Sequence, residues 1–110
     1  MKSPALGKGG SSLLEKEPLG NGLVRVTFRV SNHVWADHIA LVGEFNGWRQ
    51  YRDLLQQTHS DSDWHITLDL EAGRSYRFRY LVDGHEWMAD NHADGQELNS
   101  YGGVDCLVVT

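Results

Sequence analysis

The sequence predicts an all-β domain, an immunoglobulin-like β-sandwich of about seven strands, from three observations. Apolar and polar residues alternate with a period of two in several short segments, as in strands that have one buried and one solvated face. Turn dipeptides that contain glycine separate these segments. No long segment shows apolar residues recurring every three to four positions, which a helix would require. Short strands divided by turn signals are typical of two sheets packed face to face.

The first strand is predicted at residues 24–30, where valine and phenylalanine alternate with arginine and threonine. The second covers residues 38–45 and is apolar on both faces, which indicates a central position in a sheet. Asn46 and Gly47 follow; both tolerate a positive φ and predict a tight turn. Residues 49–63 are polar and irregular, so we expect a long loop with room for a short edge strand.

Two further strands are predicted at residues 64–70 and 76–82, because both segments alternate between apolar and polar side chains. Ala72 and Gly73 lie between them and predict a hairpin turn that pairs the two strands. Trp64 is in phase with the apolar residues of its segment and is therefore expected in the core.

The last third of the domain contains fewer apolar residues. A turn at Asp83-Gly84 leads to Glu86-Trp87-Met88. Residues 89–103 are rich in Asp, Asn, His and Gly and predict a loop. Residues 104–109 alternate again and predict the final strand.

The chain of 110 residues is expected to hold one domain, since domains cluster near about 100 to 150 residues. Residues 1–21 contain glycines, two prolines and scattered charges, and predict a flexible N-terminal arm. The sandwich is expected to occupy residues 22–110. This length excludes a (β/α)8 barrel, which needs roughly 250 residues.

Composition and charge exclude several classes of function. A formal net charge of −5 argues against a nucleic-acid partner, which usually requires a basic surface. No apolar run approaches the roughly 18 residues of a membrane helix, and no segment at the start has signal-peptide character. Cys106 is the single cysteine and is expected to be a buried structural thiol. We therefore expect a cytoplasmic protein with no membrane contact.

The residues predict neither a metal site nor a catalytic centre. The six histidines do not show the i, i+2 or i, i+4 spacing that places two ligands on one face. Asp90 opens a segment similar to the start of a calcium loop, but His92 replaces an oxygen ligand and Tyr101 stands where the bidentate glutamate belongs. No nucleophile motif is present. We expect no metal, no cofactor and no enzymatic activity.

Four tryptophans in so short a chain require an explanation. Trp48 follows the Asn-Gly turn and Trp87 follows the Asp-Gly turn, and neither is a core position by alternation. An indole at such a position is tolerated mostly where a partner covers it, and the C–H face of a sugar is a suitable partner. The alternative, that both rings fold back to cap the sandwich, is about equally compatible with the residue types. Trp35 has no explanation in the sequence.

Several motifs together resemble a family-48 carbohydrate-binding module: Gly43-Glu44-Phe45-Asn46-Gly47-Trp48, Leu68-Asp69-Leu70-Glu71-Ala72-Gly73, the segment from Tyr76 to Gly84, Trp87 and Tyr101-Gly102-Gly103-Val104. This family includes the early-set domain of isoamylases and the glycogen-binding domain of the AMP-activated protein kinase β-subunit. The chain most resembles small bacterial proteins that consist of this domain alone. The resemblance spans about residues 22–110 and implies an immunoglobulin-like sandwich that binds α-1,4-glucans.

The resemblance also implies a set of site residues. Trp48 and Trp87 match the two tryptophans on which the sugar rests, and Arg79 matches a lysine that binds hydroxyls. Tyr101 stands where the family has a leucine, and Asp105 where it has an asparagine. Tyrosine adds a further stacking surface, whereas an ionised aspartate accepts hydrogen bonds but cannot donate them. The expected carbohydrate-binding residues are Trp48, Arg79, Trp87, Tyr101 and Asp105.

The resulting hypothesis is non-catalytic binding of glycogen, starch or maltooligosaccharide. An alternative from another class is a protein-interaction or regulatory module that docks a glycogen-metabolising enzyme. Its motivation is the polar loop 49–63 and the N-terminal arm, either of which a partner would order.

Overall fold

A computed structural model of the chain describes residues 12–59 and 62–110. Along these residues the chain forms nine strands: β1 (Ser12–Pro18), β2 (Leu23–Val30), β3 (Ile39–Gly43), β4 (Asp53–Leu54), β5 (Trp64–Glu71), β6 (Ser75–Val82), β7 (Glu86–Met88), β8 (Gly95–Leu98) and β9 (Val104–Val109). A 3-10 turn, Glu44–Asn46, follows β3.

The strands form two antiparallel sheets. The smaller sheet has the order β1-β2-β5, and the larger has the order β4-β3-β6-β9-β8, with β7 also paired to β6. Buried side chains from both sheets meet in one core. The predicted immunoglobulin-like β-sandwich is therefore confirmed, with nine strands among the described residues instead of about seven.

Aromatic rings join the two sheets across the core. Phe28 of β2 lies 5.2 Å from Phe78 of β6, ring centroid to centroid, with the ring planes at 73°. Tyr80, also on β6, continues the row in a similar edge-to-face arrangement with Phe78, at 5.7 Å. Edge-to-face pairs are favourable because the positive edge of one ring meets the negative face of the other. This row fixes which face of β6 points inward.

The predicted hairpin between residues 64–70 and 76–82 is wrong. β5 pairs with β2 in the smaller sheet, whereas β6 pairs with β3 and β9 in the larger one. Gly73 still provides a turn, with φ of 74°, but the turn carries the chain from one sheet to the other. Alternation and turn residues specify where a strand begins and ends. Which strands it pairs with depends on how the apolar faces of the two sheets pack together into one core.

The predicted N-terminal arm is also wrong for part of its length. Residues 12–18 form β1, which pairs along β2 at the edge of the smaller sheet. Leu14 packs against the core, and Lys16 and Glu15 form ion pairs at 2.6 and 3.1 Å. A strand with one apolar anchor and charges on its exposed face gives a weak sequence signal. Residues 1–11 of the predicted arm lie outside the described residues.

Other local predictions are confirmed. β3 is buried on both faces between β4 and β6, and β4 is a two-residue edge strand within the predicted 49–63 loop. Trp64 and Cys106 are buried. Burial raises the pKa of the Cys106 thiol, which keeps it protonated and unreactive.

The predicted loop at residues 89–103 is wrong for part of its length, because it contains β8, which pairs with β9.

Candidate functional site

The outer face of the larger sheet carries the candidate site. Along β6, Arg77, Arg79 and Leu81 alternate with the side chains that enter the core. Arg79 lies beside Val42 of β3, and Leu81 lies beside Ala40. Leu81 and these two β3 residues form a small buried apolar cluster of their own. The outer face therefore combines an apolar base with two guanidinium groups.

A cleft of about 380 Å³ lies on this face. We call it the outer cleft; its lining residues are Trp48, Arg77, Arg79, Asn99, Ser100, Tyr101 and Asp105. Four of the five residues predicted from the sequence are among them. The fifth, Trp87, is on β7, and its ring centre lies 4.6 Å from the guanidinium carbon of Arg79. The fold thus brings all five predicted residues to one face.

Trp48 is held by the turn that follows β3. The buried Asn46 accepts the Gly43 N–H at 3.1 Å and donates its amide to the Leu41 carbonyl at 2.9 Å and to the Asp53 carboxylate at 2.8 Å. The Trp48 N–H then donates to the Gly43 carbonyl at 2.9 Å. Side-chain and backbone bonds together close the turn and set the direction in which Trp48 leaves it.

The turn puts Trp48 in an unusual backbone conformation. Its φ is +61°, directly after Gly47 at +67°. A bulky residue in the left-handed region is strained, by roughly 1–2 kcal/mol, and such strain is concentrated at functional sites. The indole remains 38% exposed. The strain is tolerated here because the hydrogen bonds of the preceding residues determine the turn.

Gly43 is required at the start of the same turn. A Cβ atom at this position would lie 2.6 Å from the Arg77 carbonyl oxygen and 2.9 Å from the Phe78 Cβ. The close approach lets Glu44 accept the Arg77 N–H at 2.8 Å. The Trp48 turn is therefore fastened to β6, the strand that carries both arginines.

Trp87 and Arg79 form a stacked pair. The guanidinium of Arg79 lies over one face of the indole, in the geometry of a cation–π contact. Trp87 is 41% exposed, so part of its surface stays open beside the arginine. The contact orients the Arg79 fork and also reduces the area of indole that a ligand can reach.

Asp105 lies at the base of the outer cleft and is only 4% exposed. Its Oδ1 is 3.2 Å from the Arg79 Nε, an ion pair that lacks the alignment of a hydrogen bond, and its Oδ2 is 3.9 Å from Arg77. Asn99 donates its amide to the same Oδ1 at 3.2 Å. Asp105 is therefore bound mainly to other groups that line the cleft.

Asn99 is a residue that the sequence reasoning missed. Its side-chain oxygen accepts the N–H of Tyr101 at 2.9 Å and of Gly103 at 3.0 Å, while its amide binds Asp105. It thereby holds the loop that presents Tyr101, which is 93% exposed. The sequence signal was an Asn followed within four residues by two glycines, a pattern common to many turns.

The outer cleft presents several kinds of groups to a ligand. It offers aromatic surface, guanidinium donors and amide and carboxylate acceptors. Arg77 is also tied to Glu97 at 2.7 Å, so neither arginine is a lone charge. Within the part of the chain that the structure describes, no group of three His, Cys, Asp or Glu side chains is placed to hold a metal ion.

Comparison with protein families identifies the family of the chain. Residues 25–108 match the family model described as the glycogen recognition site of AMP-activated protein kinase. The chain belongs to this family, the family-48 carbohydrate-binding modules, which are non-catalytic domains.

No curated protein matches the chain at a significant level. In the described residues no helix is long and apolar enough to cross a membrane.

Proposed function

We propose that the chain binds α-1,4-glucan in the outer cleft, with Trp48 and Trp87 as an aromatic platform. The observation that carries this proposal is the gathering of two half-exposed tryptophans, two arginines and an exposed tyrosine around one cleft. Family membership supports the glucan as the class of ligand. The particular residues and the preference for α-1,4-glucan are our inference.

Each group has a distinct role in this proposal. The apolar C–H faces of glucose units stack on Trp48 and on the open part of Trp87, each contact stabilising the complex by about 1–3 kcal/mol, by analogy with bases on aromatic side chains. Arg79 donates hydrogen bonds to ring hydroxyls, and Asp105 holds it in place. Tyr101 covers the sugar from the loop side. An arginine fork presents its donors in a fixed plane, which favours hydroxyls at a defined spacing.

The affinity is expected to be modest, with dissociation constants of roughly micromolar to millimolar. The cleft is shallow, and sugar hydroxyls exchange water bonds for protein bonds at little net gain. Cooperation between several glucose units, and not one tight subsite, is expected to dominate binding.

The test is the double variant Trp48→Ala/Trp87→Ala, measured by retention on glycogen and by titration with maltoheptaose. We expect loss of retention with a cooperative unfolding transition preserved. Leu98→Ala is the matched control, because Leu98 is 75% exposed on β8, does not line the cleft and is out of phase with Glu97, which pairs with Asp105 on the outer face; it should bind as the wild type does.

Two results would overturn the proposal. One is a wild-type titration in which the indole N–H signals of Trp48 and Trp87 do not move at millimolar maltoheptaose. The other is a folded double variant that still binds glycogen normally. Co-purification of a stoichiometric protein without any glucan shift would instead favour the protein-interaction function.

A further inference from the structure

Trp35 is 91% exposed, although the loop that carries it is anchored on both sides. Its neighbours Val34 and Ala36 pack against the core. The Val34 N–H donates to the Ser31 carbonyl at 3.0 Å, and the Val34 carbonyl accepts the Trp64 indole N–H at 3.4 Å. A large indole held out in water from an anchored loop is unusual, because Trp is highly buried on average.

Beside this indole is a groove of about 460 Å³, within the size range of small-ligand sites. We call it the Trp35 groove; its lining residues are Asn32, Val34, Trp35, Ala36, Asp37, Gln57, Trp64 and Asp83. None of them lines the outer cleft.

The strand register places the two sites towards opposite ends of the β3–β6 pair. Asp37 and Asp83 lie just outside the Ile39–Val82 pair, whereas the Trp48 turn follows the Gly43–Phe78 pair. Four residue steps of about 3.3 Å separate these pairs by about 13 Å. A single polymer is therefore long enough to contact both sites.

The groove chemistry limits the ligand. Among the described residues that line it there is no Lys, Arg or His, so an anionic ligand would meet two carboxylates; outside the lining, His38 Nδ1 lies 3.9 Å from the Asp83 Oδ1. Backbone N–H bonds from His38 and Asp37 lower the pKa of Asp83, whose Oδ1 they contact at 3.1 and 2.7 Å. This carboxylate is thus ionised, and its charge is already partly offset. The groove suits a neutral ligand with hydroxyl donors and an apolar face.

We propose that the Trp35 groove is a second glucan-contacting subsite. Glucose units stack on Trp35, and their hydroxyls donate to Asp37 and Asp83. The inference rests on the proposed function, since it assigns the same polymer to a second surface. Once a long glucan is bound at one site, its binding to the second site is intramolecular. The apparent affinity for long chains therefore rises although the contacts at each site are unchanged.

The experiment follows tryptophan indole N–H signals by NMR in the wild type, Trp35→Ala and Trp48→Ala/Trp87→Ala, with maltotriose and maltoheptaose as probes. Trp35→Ala assigns the Trp35 signal by its absence. We expect that signal to shift with maltoheptaose in the double variant, where the outer cleft is disabled. Trp35→Ala should lower the affinity for glycogen about tenfold and leave maltotriose binding at the outer cleft unchanged. Val109→Ala, exposed on β9 and outside both linings, is the control for the loss of an exposed apolar side chain.

The outcomes separate the two proposals. Shifts at Trp48 and Trp87 with no movement of Trp35 retain the proposed function and overturn this inference. A shift at Trp35 alone would overturn the outer cleft as the glucan site and, with it, the assignment of the Trp35 groove as a second subsite. A Trp35 signal that responds to tetramethylammonium but not to maltoheptaose would identify a cation site and also overturn the inference.

Discussion

The two faces of the β6–β9 pair differ in what stabilises them. On the inner face, Phe78 and Tyr80 are buried against aromatic rings of the core. On the outer face, Arg77 and Arg79 are partly exposed and depend on carboxylates for their orientation. Burial of apolar area supplies most folding free energy, whereas exposed ion pairs supply little. One strand therefore stabilises the fold with one face and forms the cleft with the other.

One buried aspartate lies against each face, and the two have different roles. Asp90 accepts the Tyr80 hydroxyl at 2.8 Å, and burial together with this carboxylate raises the pKa of Tyr80 well above its usual range. Asp105 contacts Arg79 and Asn99, which line the cleft. The inner carboxylate holds a core ring, while the outer one orients groups that face a ligand. Both buried carboxylates have hydrogen-bond or ion-pair partners, but only the partners of Asp105 line the cleft and can contact a ligand.

The largest expected effect is that of Phe78→Ala on the inner face. It removes a fully buried ring that contacts Phe28 and Tyr80, and should lower the free energy of unfolding by about 3–5 kcal/mol. Urea unfolding measures this. Arg77→Ala on the outer face should cost less than about 1 kcal/mol. If both variants lost the same free energy of unfolding, the conclusion that the inner face stabilises the fold and the outer face does not would be contradicted.

Asp105→Ala should come next, with a loss of about 2 kcal/mol. The variant leaves the Arg79 guanidinium without its carboxylate partner. The decrease in the free energy of unfolding is smaller than for a fully buried ion pair because Arg79 is partly exposed. Glucan affinity should fall several-fold as Arg79 loses its orientation. Asp105→Asn keeps the shape and removes the charge, so it should give an intermediate result. Unchanged binding in the alanine variant would show that Asp105 does not orient the cleft.

Asn99→Ala should lower stability by about 1 kcal/mol, since three side-chain hydrogen bonds are lost from a loop that water can reach. Faster amide exchange at Tyr101 and Gly103 would report the loosened loop, together with weaker glucan binding. Asn99→Asp is the informative control. It keeps the acceptor for both N–H groups but opposes a carboxylate to Asp105, so exchange should stay slow at Gly103 while binding weakens.

The smallest effect compares two variants of Trp48. Trp48→Gly should be more stable than Trp48→Ala by about 1 kcal/mol, because φ at this position is +61° and only glycine adopts that region without strain. Thermal or urea unfolding of the two variants measures the difference, and both should lose glucan binding. An alanine variant as stable as the glycine variant would show that the turn is unstrained.

The sequence predicted most strands correctly, including those that carry the site. β2, β5, β6 and β9 alternate between apolar and polar residues, which reports burial of one face, and β3 is a short run that is apolar on both faces, as expected of a central strand. β1 and β8 were missed because exposed residues dominate their pattern, although each forms a hairpin with the strand that follows it. The hairpin predicted between β5 and β6 is wrong for a different reason, since local periodicity does not encode strand partners and these two strands belong to different sheets.

For the site, the five residues were predicted by resemblance, and the structure brings them to one face. Asn99 was missed because its role depends on the loop conformation and on Asp105 six residues away. The stacking of Arg79 on Trp87 was not predicted either, because the sequence placed the Asp83-Gly84 turn but not the register of β7 on β6, which pairs Trp87 with Leu81 and puts it diagonally across from Arg79.

By itself the amino-acid sequence determined the class of fold, the strand faces and the residue types that suit a sugar, because side-chain hydrophobicity and turn chemistry are local properties. Only the tertiary structure decided which strands pair, that Asp105 is buried under two arginines, and that Trp35 stands exposed beside a groove. These features depend on contacts between residues far apart in the chain. Such contacts form where burial of apolar faces and satisfaction of buried polar groups are met together.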